Sequence, residues 1–389
     1  MRHSPPAFTL RAMRLLARYL LRECLVALAY CFSAFLILWV TLDLMSSLHD
    51  MQENKLHAGD VAAFYLFRLP EFLPVALPVA LLLALLYALT NHARYNEITA
   101  IRAAGLSLSR LCLPYLSIAC VAGAVLFCSN EFIAPKSADI AEQILFSRVQ
   151  KQRPEAEQEQ VKNLFFHTAR NGQDRFWRIG IYDQKTGEMQ QPFVEWRLPD
   201  GSRRSIFAER AAYTNGVWTF YQVRELKQIT ATNSLLARLP ETNSIAVPEF
   251  SETPEEIKSE ISVSDRYGHQ TRTHRADIPI SEITNYLRLH PNPPPGIRSW
   301  LYTKLYGRFA EPFTCIVVVL LAVPFAAGSG RRNVFVGVAA SIVIFFVYYL
   351  LQQLGFAFGE AGRIPAWFGA WFPNLLFGGA GLWMMARVR

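Results

Sequence analysis

Six apolar runs, at residues 24–42, 72–89, 106–128, 312–327, 334–356 and 365–386, constrain this chain more than any other feature. Each approaches the roughly 20 residues that a helix needs to cross a hydrocarbon layer about 30 Å thick. The fourth is the shortest, and residues 307–310 can lengthen it if the helix tilts or begins early. Charged residues make up 18% of the 389 and hydrophobic ones 52%, a balance too apolar for a soluble chain of this length. The expected fold class is therefore an α-helical polytopic membrane protein with six transmembrane helices.

Arginines orient the spans, because positively charged loops resist translocation and stay cytoplasmic. Arg11, Arg14, Arg18 and Arg22 precede the first run, which has no small-residue cleavage site behind it and reads as a retained anchor. Arg94, Arg102 and Arg110 follow the second run, Arg331 and Arg332 follow the fourth, and Arg387 and Arg389 close the chain. The loops after the first and fifth runs carry few fixed cations, Lys55, Arg68 and Arg363, offset by Asp43, Asp50, Glu53, Asp60, Glu71 and Glu360. Both termini are thus expected on the cytoplasmic side. The net charge of +8 then reflects topology and contact with anionic headgroups, and no nucleic-acid-binding motif accompanies it.

A polar insert, residues 129–306, separates an N-terminal membrane half (1–128) from a C-terminal one (307–389), and topology places it outside the cytoplasmic membrane. Its segments "NLFFHT", "RFWRIGIYD", "FVEWRL", "SIFAERAAYT" and "VWTFYQVREL" concentrate aromatic and β-branched residues. The turn signals "RNGQ", "KTGE", "PDGS" and "TNGV" punctuate them. Short strands at this spacing predict an all-β sandwich or jelly roll. On its flanks, "VQKQRPEAEQEQ" reads as a solvated joint, "SETPEEIKSE" as a helix start and "ISEITNYLRLH" as a short amphipathic helix before a stiff "PNPPPG" linker.

Chemistry-bearing patterns are sparse. No G-x-x-x-x-G-K-[ST] phosphate loop and no G-x-S-x-G nucleophile signature occurs, so the chain is expected neither to hydrolyse ATP nor to act as an enzyme. The eight histidines are scattered without metal-type spacing. Cys24, Cys31, Cys112, Cys120, Cys128 and Cys315 fall in or beside apolar runs and read as small hydrophobes. No cofactor is expected on this chain.

Residues 94–110, "RYNEITAIRAAGLSLSR", interrupt two apolar runs with a short charged stretch. If residues 93–104 are helical, Ile98, Ile101 and Tyr95 project to one side, Arg94, Glu97 and Arg102 reach another, and Gly105 stops the helix. Such a helix either presents its charged face to a cytosolic partner or is a plain interfacial turn with Glu97 paired to Arg94 or Arg102.

"RYNEITAIRAAGLS" resembles the cytoplasmic coupling helix of the LptF/LptG (YjgP/YjgQ) permeases, whose pattern is an acidic residue, an A-x-[RK]-A-[AS]-G core and then the next span. "NEFIAPKSADIAEQ", "AERAAYTNGVWTF", "GRFAEPFTCIVVVLLAVPFA" and "RIPAWFGAWFPNLLF" resemble further family segments, in order, over nearly the whole chain. The resemblance implies a permease subunit of an ABC transporter that extracts lipopolysaccharide from the inner membrane. It implies a cytoplasmic ATPase dimer (LptB-like) that uses the ATP, a paralogous six-span permease, and periplasmic bridge proteins (LptC/LptA-like). It also implies that Glu97 meets a basic residue of the ATPase and that the insert is a jelly-roll-like periplasmic domain. "SEITNYLRLH" and "YTKLYGRFAEPF" lean to the LptG side. No lysine lies between Arg22 and Lys55, where LptG-type members can carry one that engages the lipid.

A path for such a lipid needs cations at an outer mouth and apolar walls beneath. Arg68, Lys304, Arg308 and Arg363 are the candidate cations; Phe32, Phe35, Trp39, Phe345, Phe346 and Tyr349 are the candidate walls, against the alternative of ordinary bundle packing. Asp43 and Glu311 complete the set of ionisable groups near span ends. Pro70 and Pro74 are expected to mark a helix start and Pro78 to sit inside it. A membrane-anchored sensor with an outer β-domain and a cytosolic partner is the alternative function.

Overall fold

A computed structural model of the chain describes residues 7–54, 56–104, 108–150, 160–170, 173–197, 202–228, 237–238, 241–268, 278–328 and 334–387. The chain divides into two compact units, one of residues 1–145 with 298–389 and one of residues 146–297.

The first unit is helical. Its N-terminal part comprises α1 (Ala7–Glu53), α2 (Ala58–Arg94), α3 (Glu97–Ala103) and α4 (Leu108–Cys128), then a π turn (Ser129–Ile133) that runs into α5 (Ala134–Gln150). At 1.5 Å per residue, α1 is roughly 70 Å long, more than twice the hydrocarbon thickness, so both of its ends carry polar residues beyond any apolar layer. The first apolar run is therefore the middle of a longer rod. Helix α2 also starts early: the His57 N–H donates to Asp60 Oδ2 at 3.0 Å in its first turn. All three prolines, Pro70, Pro74 and Pro78, lie inside α2, where two had been expected at its start. Ala76, Ala80, Ala84 and Ala88 recur every fourth residue of α2 and are fully buried. Small residues at that period let helix backbones approach closely, which is how helices associate where surrounding lipid removes the hydrophobic incentive.

The C-terminal part of this unit comprises the last helices in the chain, numbered after two that belong to the second unit: α8 (Pro295–Ala310), α9 (Phe313–Gly328), α10 (Val334–Glu360) and α11 (Ala366–Arg387). Pro295 of the proline-rich linker is the first residue of α8, the position where a missing N–H costs nothing. Leu81, Leu85 and Leu89 of α2, Tyr115 and Ala119 of α4, Val318 and Ala322 of α9 and Tyr348 of α10 share one core with Leu20 and Cys24 of α1. Four helical stretches are long and apolar enough to cross a membrane: Leu15–His49, Ala58–Arg94, Arg110–Leu145 and Ile342–Glu360. Helices α8 and α9 make a fifth if their 51° bend is one broken span. Six had been expected. Helix α11 falls outside that set because Gly369, Pro373, Asn374, Gly378, Gly379 and Gly381 dilute its hydropathy.

The second unit is built on strands β1 (Gln160–Arg170), β2 (Gln173–Asp183), β3 (Met189–Arg197), β4 (Arg203–Phe207), β5 (Arg210–Thr214), β6 (Val217–Gln228), β7 (Ala237–Arg238) and β8 (Thr242–Val247). They form one antiparallel sheet in the order β1-β2-β3-β4-β6-β5, with β7 and β8 also paired to β6. The turn signals hold where they are described. Asn215 and Gly216 both have positive φ, 52° and 82°, the requirement of a two-residue hairpin whose twist matches its strands. "SIFAERAAYT", expected as one strand, is divided into β4 and β5. The cause is local curl: Gln191 and Gln222 on the flanking strands take φ of 51° and 54°, bulging toward the break at Ala208 and Glu209.

Two helices, α6 (Pro254–Gly268) and α7 (Ile280–Leu289), accompany the sheet, so the unit is not all-β. A capping box starts α6, with Thr253 Oγ1 accepting from the Glu256 N–H at 3.3 Å and Glu256 Oε2 from the Thr253 N–H at 3.1 Å. Ile257 and Ile261 of α6 and Leu289 of α7 pack with Trp177, Trp196 and Trp218 of the sheet in one core. Inside it, Arg175 donates to both oxygens of Glu252 at 2.9 Å and to the Glu249 carbonyl at 2.8 Å. Thr168 donates to Glu252 as well, at 2.8 Å, and Glu252 is completely buried.

Candidate functional site

The corner between α2 and α3 gathers polar side chains from three helices. Helix α2 ends at Arg94, Tyr95 caps it, and Asn96 turns the chain with φ of 59° before α3 begins. Asparagine tolerates that left-handed conformation because its short side chain bonds locally. The expected single helix over 93–104 is therefore the end of α2 plus the seven-residue α3. Asn96→Val is expected to lower stability by about 1–3 kcal/mol and Asn96→Gly to be tolerated, as read by the melting temperatures of the purified variants.

This break rotates Tyr95 away from the apolar pair. Ile98 is buried and Ile101 packs on the membrane core, whereas Tyr95 is 65% exposed and Arg94 is exposed beside it. Glu97 is not paired with Arg94. His92, itself 1% exposed, places Nδ1 at 2.7 Å from Glu97 Oε2, and the Tyr19 hydroxyl lies 3.4 Å from Oε1. Because an ionised carboxylate only accepts, the imidazole N–H is the donor. The other ring nitrogen stands 3.4 Å from Glu23 Oε2, and Asn91 Nδ2 donates to Glu23 Oε1 at 2.7 Å. Side chains of α1, α2 and α3 thus meet around one imidazole. Gly105 and the side chain of Arg102 lie outside the described residues.

The other ionisable candidates are gathered in pairs. At the far end of α1, Asp43 accepts from Arg68 at 2.8 Å and from the Tyr65 hydroxyl at 3.1 Å, and Glu71 lies 3.6 Å from the same guanidinium. Arg68 stands over Phe64 and Trp39, and Trp39 stacks on Phe72 at 4.4 Å. Lys304 pairs with Glu360 at 3.0 Å. Arg308, 5% exposed, donates to the Asn130 carbonyl of the π turn at 3.1 Å, and Asn130 donates to Glu311 at 3.0 Å. Arg363 is exposed and stands over Phe358. Three of the four expected cations therefore already have partners within the chain.

The expected walls divide as well. Phe345 and Tyr349, with Glu311, Thr314, Pro74 and Pro78, line a cavity of about 80 Å³ between α2, α9 and α10. Phe346 points away and is 69% exposed; Phe32, Phe35 and Trp39 are half-buried on α1. Beside the cavity, the break between α8 and α9 is stabilised by a buried chain: Thr314 and Tyr348 hydroxyls at 2.7 Å, Tyr348 to Asn374 at 2.7 Å, and Asn374 Nδ2 to the Ala310 carbonyl at 2.9 Å. Asn374 thereby satisfies a carbonyl that the bend leaves without a helical donor.

One feature of the second unit escaped sequence reading. Phe165, Arg178, Phe193, Phe207 and Arg224 are cross-strand neighbours in one row of β1, β2, β3, β4 and β6. They lie on the face opposite the tryptophan core, with Phe165 66% and Phe207 41% exposed. The row leads to a cleft of about 750 Å³ lined by Phe207, Gln222, Arg224 and Glu241 among others. The signal was there: in these strands the positions alternating with the core carry aromatics where a solvated face would be polar.

A family model described as the lipopolysaccharide export system permease LptF/LptG matches residues 18–387, nearly the entire chain. None of the curated proteins matches it.

Proposed function

Starting from the fact that the chain belongs to the LptF/LptG family of lipopolysaccharide export permeases, we propose that it is one permease subunit of an ABC transporter driven by a separate cytoplasmic ATPase dimer. A paralogous subunit completes the pair, and lipopolysaccharide leaves through periplasmic bridge proteins. Six spans serve this role: α1, α2, α4, the broken pair α8 and α9, α10, and α11, whose 22 residues make roughly 33 Å of helix, enough for the apolar layer. The arginine bias puts both termini in the cytoplasm and the strand-rich insert, residues 129–306, in the periplasm as a jelly-roll-like curled sheet. Membrane halves 1–128 and 307–389 flank it.

The observation that carries the reading is α3: a short helix after an arginine-rich span end, with Arg94, Tyr95 and a half-exposed Glu97 outward and Ile98 and Ile101 inward. That geometry suits force transfer, since the apolar side seats the helix on the core while the carboxylate meets a cation of the ATPase. Movement of the first and fifth spans then opens the path to the lipid. The fifth, α10, and α1 both leave apolar side chains exposed along their length, among them Ile37, Leu38, Phe346 and Leu350. On the curled sheet, the aromatic and arginine row offers apolar contact and phosphate-binding charge together.

Glu97→Arg reverses the charge at this contact. It is expected to weaken ATPase retention by about 2 kcal/mol or more, over tenfold in affinity, while the subunit still folds and purifies with a melting temperature lowered only by the lost contact with His92. Co-purification and lipopolysaccharide-stimulated ATP hydrolysis measure the effect. Full retention of the ATPase with undiminished stimulation rules the assignment out; recovery of neither an ATPase nor a second permease with the wild-type chain favours a sensor instead.

A further inference from the structure

The mechanism so far leaves His92 unused, although it is among the most buried polar side chains of the helical unit. We infer that His92 is the positioning residue of the coupling site: it holds the Glu97 carboxylate in place from α2 and connects it to Glu23 on α1, so that a load on α3 reaches the first span. This rests on the proposed role of Glu97 and adds the route by which its load travels.

Three observations carry it. A histidine at the end of an apolar helix could turn its ring to water, as Arg94 two residues later does; instead it is enclosed between two carboxylates of other helices. Only 35% of the Glu97 side chain is exposed, so the imidazole and the Tyr19 hydroxyl leave one face of the carboxylate free for a partner. The second carboxylate is itself oriented, because Asn91, next to His92 in sequence, fixes the other oxygen of Glu23 at 2.7 Å. The groups facing the ring are thus Tyr19 and Glu23 of α1 and Glu97 of α3, with the Tyr19 ring edge-on at 5.7 Å. The ring transmits displacement through two unequal contacts: a hydrogen bond of 2.7 Å from Nδ1 to Glu97, and an ionic contact of 3.4 Å from Nε2 to Glu23 that is not a hydrogen bond and acts when both ring nitrogens carry protons.

The two ring nitrogens can be separated by substitution. An asparagine amide reaches where Nδ1 stands, so His92→Asn keeps the donor to Glu97 and gives up the contact with Glu23; His92→Leu removes both. The assay uses the whole complex in vesicles, with the ATPase and the second permease, and reads ATPase retention and lipopolysaccharide released per ATP hydrolysed. His92→Leu should lower both. His92→Asn should retain the ATPase yet release at least about fivefold less lipid per ATP, and Glu23→Gln should match it. Combining Glu23→Gln with His92→Asn should add nothing, since both cut the same link.

Wild-type yield per ATP in His92→Asn and Glu23→Gln overturns the inference, as does full additivity of the pair. A purely structural role for His92 predicts that Asn and Leu lower melting temperature and retention alike, and that outcome overturns it too. If Glu97→Gln leaves retention intact, the docking role of Glu97 falls; if Glu97→Gln loses the ATPase while the His92 variants behave as wild type, only the route through His92 falls.

Discussion

Glu252→Gln is expected to destabilise the strand-rich unit by about 3–5 kcal/mol, because it leaves the guanidinium of Arg175 buried without its counter-charge. Arg175 is 4% exposed and Glu252 not at all, and two further donors converge there: Thr168 on the carboxylate and the Trp218 indole on the Glu252 carbonyl at 2.6 Å. Denaturant unfolding of the full-length protein in detergent reads the effect through Trp177, Trp196 and Trp218, which are buried in the same core. Arg175→Met combined with Glu252→Gln should lose less than either single change, since removing both charges removes the desolvation problem along with the pair. A single-variant loss below about 1 kcal/mol would mean that water reaches the site.

Gly355→Val should be at least as damaging in the helical unit. A Cβ at Gly355 would penetrate the carbonyl oxygen of Gly369, and one at Gly369 would penetrate that of Gly355, so α10 and α11 touch backbone to backbone. Carbonyls cannot rotate aside as a side chain can. The helices would have to separate, and the buried Tyr348 to Asn374 hydrogen bond between them, 2.7 Å long, would stretch with them. The cost is expected at about 3 kcal/mol or more, seen as lost folded yield and a lowered melting temperature. Gly379→Ala on α11 is the matched control: its Cβ would meet nothing within 4 Å, so it should be neutral or slightly stabilising. Equal losses at positions 355 and 379 would refute the close crossing.

Much of the local structure was legible. The asparagine-glycine hairpin at residues 215–216, the capping box at Thr253 and Glu256 and the amphipathic helix Ile280–Leu289 all obey rules that operate within a few residues. Reading failed where a neighbour in space overruled the local signal. Pro70 and Pro74 look like helix starters, yet α2 runs through them because packing on both sides holds the helix together. "SIFAERAAYT" looks like one strand, and bulges on its two neighbours divide it. Tyr95 shares the helical period of Ile98, but the left-handed Asn96 between them breaks that period.

The candidate site shows the same division. Sequence singled out Glu97 as the acidic residue of the interfacial helix, with either a basic residue of a cytosolic partner or a neighbouring arginine, Arg94 or Arg102, to meet it. The structure gives it His92 and Tyr19, and through His92 it reaches Glu23 on another helix. Arg68, Lys304 and Arg308 read as candidate cations from their place near span ends; Asp43, Glu360 and the Asn130 carbonyl approach from 25, 56 and 178 residues away.

The chain alone determined that it is a membrane protein with a strand-rich insert and to which family its ordered segments belong. These follow from hydropathy, charge and turn chemistry, quantities that add along the chain and need no knowledge of contacts. Only the tertiary structure decided which charges are partnered, which helices touch backbone to backbone and where the sheet curls. Such pairings depend on the rotation and register of one element against another, and the periodicity of a single helix or strand specifies a face without specifying what meets it.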